Sequence, residues 1–331
     1  MRKSGLRKRV LVTGGAGYVG SHACKALAQA GYLPVVYDNL SRGHAWAVKW
    51  GGLERGDLLN PARIAAVIKK HRPFAVLHFA ALAYVGESVE DPLRYYRNNV
   101  GGTINLLEAM RDSGVNRLVF SSTCSVYGIP ERVPIPETHP QRPVNPYGQS
   151  KRIVEQMLAD SAAAHGLRSV SLRYFNAAGA DPDGEIGEAH DPETHLIPLV
   201  LEAAAGLRPR LTIHGTDYPT RDGTCIRDYV HVADLADAHV RALRHLSRHA
   251  GAAAFNLGNG KGFTVREVIT AAERVTGRKV PFREGPRRPG DPPALVANAA
   301  SARRKLGWIP RHRDLEAIID TAWRWLQSPA R

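Results

Sequence analysis

Apolar positions along the chain follow two alternating rhythms. Short β-branched runs, Val10-Leu11-Val12-Thr13, Pro34-Val35-Val36-Tyr37-Asp38 and Leu118-Val119-Phe120-Ser121-Ser122, read as buried strands. Between them the spacing changes to three and four residues, as at Ala23, Leu27 and Ala30, the repeat of one helix face. The alternation places strands near 10–13, 34–38, 74–79, 118–122 and 169–173, with helical stretches such as 64–69 and 100–110 between them. Repeated strand and helix predict an α/β fold, a doubly wound, Rossmann-like parallel sheet. After Asn176 the rhythm breaks into the loop-rich Ala180-Asp181-Pro182-Asp183-Gly184-Glu185-Ile186-Gly187, and shorter elements follow. We therefore expect a basic tail over 1–8, a Rossmann-like domain over 9–175, and a smaller α/β domain over most of 176–331 that caps the sheet's ligand edge. In that second part Thr264 and Glu267 have capping-box spacing, and Asp314 is placed to cap the last helix.

Two motifs carry chemistry. Gly14-Gly15-Ala16-Gly17-Tyr18-Val19-Gly20 directly follows the first strand and opens a helix. Glycines there let the backbone approach a pyrophosphate at the helix N-terminus, and Asp38, eighteen residues after Gly20, can accept hydrogen bonds from a ribose. A free 2'-hydroxyl is favoured, although Arg42 stands near enough in sequence to meet a 2'-phosphate.

The second motif is Asn145-Pro146-Tyr147-Gly148-Gln149-Ser150-Lys151. Pro146 suits the first helical position and Asn145 the cap, with Ile153, Val154, Met157 and Leu158 continuing at helical spacing. Tyr147 and Lys151 then share one face, where an ammonium favours phenolate over phenol. A free tyrosine with pKa ~10 is about 0.1 % ionised at pH 7, so bringing it to ~7 asks roughly 4 kcal/mol of positive charge. Thr123, leaving the carboxyl end of a buried strand, can hydrogen-bond both that phenol and a substrate oxygen.

Composition narrows the class. The 331 residues are 44 % hydrophobic, as expected of a globular protein, and no apolar run approaches the ~20 residues that span a bilayer. With no signal-peptide core, a cytoplasmic protein without a membrane partner is expected. Cys24, Cys124 and Cys225 form no Cys-x-x-Cys, and fourteen histidines show no His-Glu-x-x-His, so neither disulfides nor a metal site is expected. The formal charge of +14 includes Arg2, Lys3, Arg7, Lys8 and Arg9, but arginines are spread through every segment and no nucleic-acid motif appears.

The ordered set Thr13 to His22, Tyr37-Asp38-Asn39-Leu40, His78-Phe79-Ala80-Ala81, Val85-Gly86-Glu87-Ser88, Tyr95 to Asn99, Arg173-Tyr174-Phe175-Asn176, Asp222 to Tyr229 and Arg287 to Asp291 resembles the extended short-chain dehydrogenase/reductases. Within them it resembles the UDP-glucose 4-epimerases. The resemblance implies NAD as a retained cofactor, a UDP-sugar substrate, a transient 4-keto sugar and a homodimer. It implies Thr123, Tyr147 and Lys151 as the catalytic set. Cofactor contacts would be Gly14, Gly17, Tyr18, Val19, Gly20, Asp38, Asn39, Asp57, Leu58, Phe79, Ala80, Ala81, Asn98, Tyr147, Lys151 and Phe175. Thr123, Tyr147, Asn176, His195, Leu196, His214, Arg227, Arg288, Asp291 and Leu295 would contact substrate, the arginines facing the diphosphate. The segment 229–246 would return to the first domain. Cys124-Ser125 stand where nucleotide-sugar dehydratases carry an Asp-Glu pair, which disfavours elimination. A UDP-arabinose/UDP-xylose 4-epimerase, activity on UDP-N-acetylhexosamines through a small residue at Leu295, and a non-catalytic NAD-binding sensor remain as alternatives.

Overall fold

The structure is a computed structural model and describes residues 8–288 and 290–328, so the basic tail expected at 1–8 lies, except for Lys8, outside the described residues. A central sheet is formed by β1 (Arg9–Thr13), β2 (Leu33–Asp38), β3 (Gly52–Arg55), β4 (Ala75–His78), β5 (Arg117–Thr123), β6 (Arg168–Tyr174) and one later strand. Its first helices are α1 (Tyr18–Gln29), α2 (Pro61–His71), α3 (Val85–Glu90), α4 (Pro92–Tyr95), α5 (Gly102–Asp112) and α6 (Pro146–His165). The remaining elements are β7 (Asn176–Ala178), α7 (Leu196–Ala205), β8 (Leu211–His214), β9 (Ile226–Arg227), β10 (Tyr229–His231), α8 (Val232–Leu246), β11 (Ala252–Leu257), β12 (Phe263–Thr264), α9 (Val265–Thr276), β13 (Phe282–Gly285), β14 (Ala294–Leu295), α10 (Ala300–Leu306) and α11 (Leu315–Leu326).

The central sheet has the order β11-β6-β5-β4-β1-β2-β3, and β5, β4, β1, β2 and β3 pair in parallel. The five strands expected from the sequence are all present. β3 and β11 escaped notice because Gly52–Arg55 is largely exposed and Ala252-Ala253-Ala254 is too small-sided to read as a strand. From β1 the chain moves to one side through β2 and β3, then returns to β4 on the other side of β1. The β1/β4 carboxyl edge is thus the topological switch point, where open α/β sheets bind ligands.

The chain divides into two compact units that interleave along the sequence. Unit 1 comprises the chain up to Ser122, with Ser150–Leu172 and Ala236–Ala254; unit 2 comprises Thr123–Gln149, Arg173–Leu235 and the chain from Phe255 on. Unit 1 is built on a core of Leu11, Val35, Tyr37, Ile64, Ile68, Val76, Leu106, Leu118 and Phe120, all almost fully buried. In unit 2, Val200, Leu201, Val268, Ile269, Ile318, Ile319 and Trp323 join the faces of α7, α9 and α11. Thr264 and Glu267 form the reciprocal capping box of α9, and Asp314 accepts from Ala317 N at 3.0 Å to cap α11.

Candidate active site

In unit 1, β1 delivers the chain into the glycine turn, where two positions tolerate no side chain. Gly14 has φ +72°, and a Cβ there would lie 2.5 Å from Ala80 N; a Cβ on Gly20 would lie 2.2 Å from Gly14 O. Gly17 is the N-cap of α1 and makes no side-chain hydrogen bond to it, so the helix opens on backbone alone. Opposite, Phe79 N and Ala80 N both donate to Thr13 O, at 2.9 and 3.0 Å, which fixes the start of the chain leading to Ala81. At the end of β2 the buried Asp38 carboxylate accepts from Ala16 N at 3.0 Å and Leu40 N at 2.8 Å. Burial raises its pKa, and those two amides oppose the shift. Asn39 Nδ2 donates to Asp57 Oδ2 at 2.8 Å, with Leu58 buried beside them. Arg42 is held by Glu87 at 3.1 Å and lies over the Tyr84 ring, so its charge is engaged within the unit.

Lys151 is 3 % exposed, and its Nζ donates to Ser121 O at 2.8 Å. Burial lowers its pKa to about 7. His78 Nδ1 shares a hydrogen bond with Thr13 Oγ1 at 2.7 Å and its Nε2 with Thr103 Oγ1 at 2.9 Å. Burial and the Lys151 charge push that imidazole down to about 3, so it is neutral. Asn99 ties the neighbouring loop together, accepting from Leu82 N at 2.8 Å and from Asn98 Nδ2 at 2.9 Å, and donating to Ser150 Oγ at 3.0 Å.

In unit 2, Asn145 caps α6 as its residue type suggests, accepting from Gly148 N at 2.8 Å, and Tyr147 follows Pro146 in the first turn. The Thr123 hydroxyl hydrogen-bonds the Tyr147 phenol and also accepts from Ser125 N at 3.1 Å. Burial drives the phenol pKa upward while Thr123 pulls it down. The electrostatics thus depart from the simple expectation of a permanently charged lysine facing an easily ionised tyrosine. Burial disfavours the charged form of each, raising the acid and lowering the base. Cys124 beside them is buried, with its thiol pushed up to about 12, which makes it a packing residue and no thiolate.

The expected substrate residues of unit 2 divide into two sets. Asn176 opens β7, its N–H donating to Asp228 O at 2.9 Å, while Phe175 lies in a core of Cys124, Val126, Tyr127, Ile135 and Ala297 against which Leu295 packs. Leu295 pairs with Arg227 across β14 and β9. Arg227 does not stand as an open cation: it pairs with Asp291 and donates to the carbonyls of Ile226 at 2.8 Å and Pro292 at 3.0 Å. Arg288 is exposed, and its charge, after burial, lowers the pKa of His214 at the end of β8. The other set leads into α7, where His195 is the N-cap and Leu196 the first helical residue. The His195 ring hydrogen-bonds the Glu188 carboxylate, which also meets His190 Nδ1 at 3.1 Å. Against burial, the two imidazoles hold Glu188 down to about 2, and Glu188 and Glu193 hold His190 up to about 10.

Asp228 was given no role by the sequence. It is fully buried and accepts from Asn259 N at 2.8 Å, Gly260 N at 3.0 Å and Ala297 N at 3.1 Å. An acid between Arg227 and Tyr229 gives no local sign of such burial. His78 and Asn99 stand inside quoted motifs, but only their partners reveal that they brace the site.

Residues 10–258 match the NAD dependent epimerase/dehydratase family. The chain belongs to that family. A family relative, UDP-glucose 4-epimerase of Rhizobium leguminosarum bv. trifolii, is 56 % identical over 316 residues, covering 96 % of each chain. The crystal structure of UDP-glucose 4-epimerase from Brucella ovis in complex with NAD is 57 % identical, with TM-score 0.93 over 96 % of this chain and 97 % of that one. The UDP-Glc/GlcNAc 4-epimerase from Campylobacter jejuni is 40 % identical, with TM-score 0.84 over 96 % and 98 %. Among family members these likenesses extend over the second unit as well as the first.

Proposed function

We propose that the protein is a UDP-glucose 4-epimerase that interconverts UDP-glucose and UDP-galactose with tightly bound NAD. The observation that carries this reading is the Thr123–Tyr147 hydrogen bond at the head of α6, one helical turn before the buried Lys151. It stands in a chain 56 % identical to a UDP-glucose 4-epimerase over nearly its whole length. Unit 1 is the cofactor-binding part. Its glycine turn leaves a cradle that a Cβ would fill, and Asp38 at the end of β2 suits a ribose with a free 2'-hydroxyl. Gly14, Gly17, Tyr18, Val19, Gly20, Asp38, Asn39, Asp57, Leu58, Phe79, Ala80, Ala81 and Asn98 would hold the cofactor. Bound there, NAD supplies reversible hydride acceptance at carbon 4 of the sugar.

Tyr147 supplies the proton chemistry. Its phenolate oxygen takes the proton of the 4-hydroxyl and later returns one to the same oxygen, which closes the proton balance; inversion then requires that the transient 4-keto sugar turn its opposite face before carbon 4 is reduced again, with no net oxidation. Thr123 holds that sugar oxygen and the phenol in register. Because burial raises the phenol, ionisation near neutral pH requires positive charge to arrive, which makes proton transfer depend on a loaded cofactor site. Asn176, His195, Leu196, His214, Arg288 and Leu295 would bind the nucleotide sugar, with the Arg227–Asp291 pair shaping that wall. Most binding energy then lies on the nucleotide, away from the reacting carbon. The protein works as a cytoplasmic homodimer in this reading; among the described residues no helix is long and apolar enough to cross a membrane.

Purified protein given UDP-galactose and no reductant should form UDP-glucose, with carbon 4 the only centre changed by NMR. A dehydrated 4-keto product, or turnover confined to UDP-pentoses, would refute the assignment. Leu295 packs half-buried against a core, and leucine is smaller than tyrosine. UDP-N-acetylglucosamine should therefore also turn over. Leu295→Tyr should reduce that activity severalfold while UDP-galactose turnover is largely kept, since overpacking costs roughly 1–3 kcal/mol.

A further inference from the structure

Eight residues ahead of α7, Glu188-Ala189-His190-Asp191-Pro192-Glu193-Thr194-His195, place two carboxylates and two imidazoles around one point. One ligand atom from each of Glu188, His190, Glu193 and His195 lies within 4.8 Å of all the others. His190 Nδ1 is 3.1 Å from Glu188 and 3.7 Å from Glu193, and His195 Nδ1 meets Glu188 and lies 4.0 Å from Glu193. The two carboxylates are withdrawn from water, with the side chains of Glu188 and Glu193 6 % and 4 % exposed, while the His195 side chain, 45 % exposed, keeps the cluster open to solvent on one side. Two carboxylates at such depth require two positive charges beside them. Two imidazolium groups can provide that balance, and so can one divalent cation ligated by neutral imidazoles.

We infer that Glu188, His190, Glu193 and His195 form a site for a single divalent transition-metal ion of the zinc class. An N2O2 donor set of two imidazoles and two carboxylates suits zinc, cobalt(II) or manganese(II), and is poorly matched to calcium, which takes six to eight oxygens. The surroundings also orient the ligands. Thr194 N and His195 N donate to Glu193 Oε1 at 2.7 and 2.8 Å, and Trp325 Nε1 donates to Glu188 O at 2.8 Å, anchoring the loop on α11. A Cβ at Gly187 would come 2.4 Å from that indole, so the loop rests directly on it. The two rings stand edge to face with centroids 5.2 Å apart, close enough for both nitrogens to reach one ion. The Glu-x-His-x-x-Glu-x-His spacing differs from His-Glu-x-x-His and lies in a loop, where helical periodicity gives no guide to convergence.

The test uses full-length protein freed of metal with a chelator, then titrated with zinc chloride in the absence of any nucleotide sugar. Calorimetry should give one site per chain, and cobalt(II) should give visible bands of a low-coordinate nitrogen and oxygen environment. His190→Asn and Glu193→Gln should each weaken zinc binding at least tenfold, with circular dichroism confirming the fold. The double variant His245→Gln/His249→Gln should bind as the parent does, since that stacked pair is elsewhere on the chain. Absence of a saturable single site in the parent overturns the inference, as does binding that survives His190→Asn unchanged or disappears with the His245/His249 pair. Should a variant fail to fold, a parent cobalt spectrum without nitrogen-ligand bands is decisive against the site. No catalytic assay enters, so failure of the metal site and failure of the epimerase reading are distinguishable.

Discussion

The two units hold their candidate residues by different means. Unit 1 relies on backbone and on side chains that are missing: Gly14 and Gly20 permit close approaches, and Thr13 O gathers two amides. Unit 2 relies on charge and polar side chains placed inside it: Arg227 on Asp291, Asp228 on three amides, and Glu188 among two imidazoles. A backbone device fails through sterics, whereas a charged one fails when a partner is left without its counterpart. The difference can be broken or sharpened by substitution.

The largest effect should come from Tyr147, the proposed proton carrier, whose oxygen neither means of support could replace. Tyr147→Phe should lower kcat by ~10²–10⁴-fold or more while UDP affinity, measured by calorimetry, stays within a few-fold. Retention of a tenth of the activity would assign the proton to another group.

Next in size is Asp228→Ala, which removes a buried acceptor from three N–H groups. Thermal or denaturant unfolding should show a loss of about 3 kcal/mol. A loss below 1 kcal/mol would mean that unit 2 does not depend on its buried charges. Gly20→Ala is the matching experiment in unit 1. A methyl 2.2 Å from Gly14 O must displace backbone, so about 1–3 kcal/mol of stability should be lost, together with most NAD affinity. Unchanged NAD binding in a folded variant would separate the turn from the cofactor.

Legibility followed the same division. The glycine turn could be read because steric demands are written as residue identity at fixed spacing, and Asn145, Thr264 and Asp314 were readable as caps for the same local reason. The loop at 188–195 was not, because its four donors converge only through the path of a loop. Asp228 was hidden in a motif credited to Arg227, and its three amide partners lie 31 to 69 residues away in sequence. The sheet was legible in its five apolar strands. The exposed β3 and alanine-rich β11 were not, since pairing rather than side-chain pattern makes them strands.

Lys151 is the buried cation of unit 1, and it departs most from the backbone devices of the glycine turn. Its folded pKa is depressed to about 7, so its favourable contribution to stability is present above the unfolded value and is lost as pH falls from about 10.5 through 7. Lys151→Met should therefore be more stable than the parent near pH 7 by up to roughly 4 kcal/mol, an advantage that narrows toward pH 10. Epimerisation should collapse in the same variant. A stability difference that does not change with pH would show that the lysine stays charged in its site.

The interleaved path of the chain bears on how such a protein can be lost or remodelled. The units exchange the chain at residues 122, 149, 172, 235 and 254, so a single proteolytic cut after 149, 172 or 235 leaves neither unit complete, and one after 122 or 254 leaves the segments of one unit joined to pieces of the other. Inheritance by halves is closed to it. A gene duplication could not release one unit as an independent protein, and two fragments from one cut could regain function only by reassembling. The sequence of α6 is itself divided, with Tyr147 counted in one unit and Lys151 in the other, so their one-turn spacing survives only as long as the reading frame that joins them.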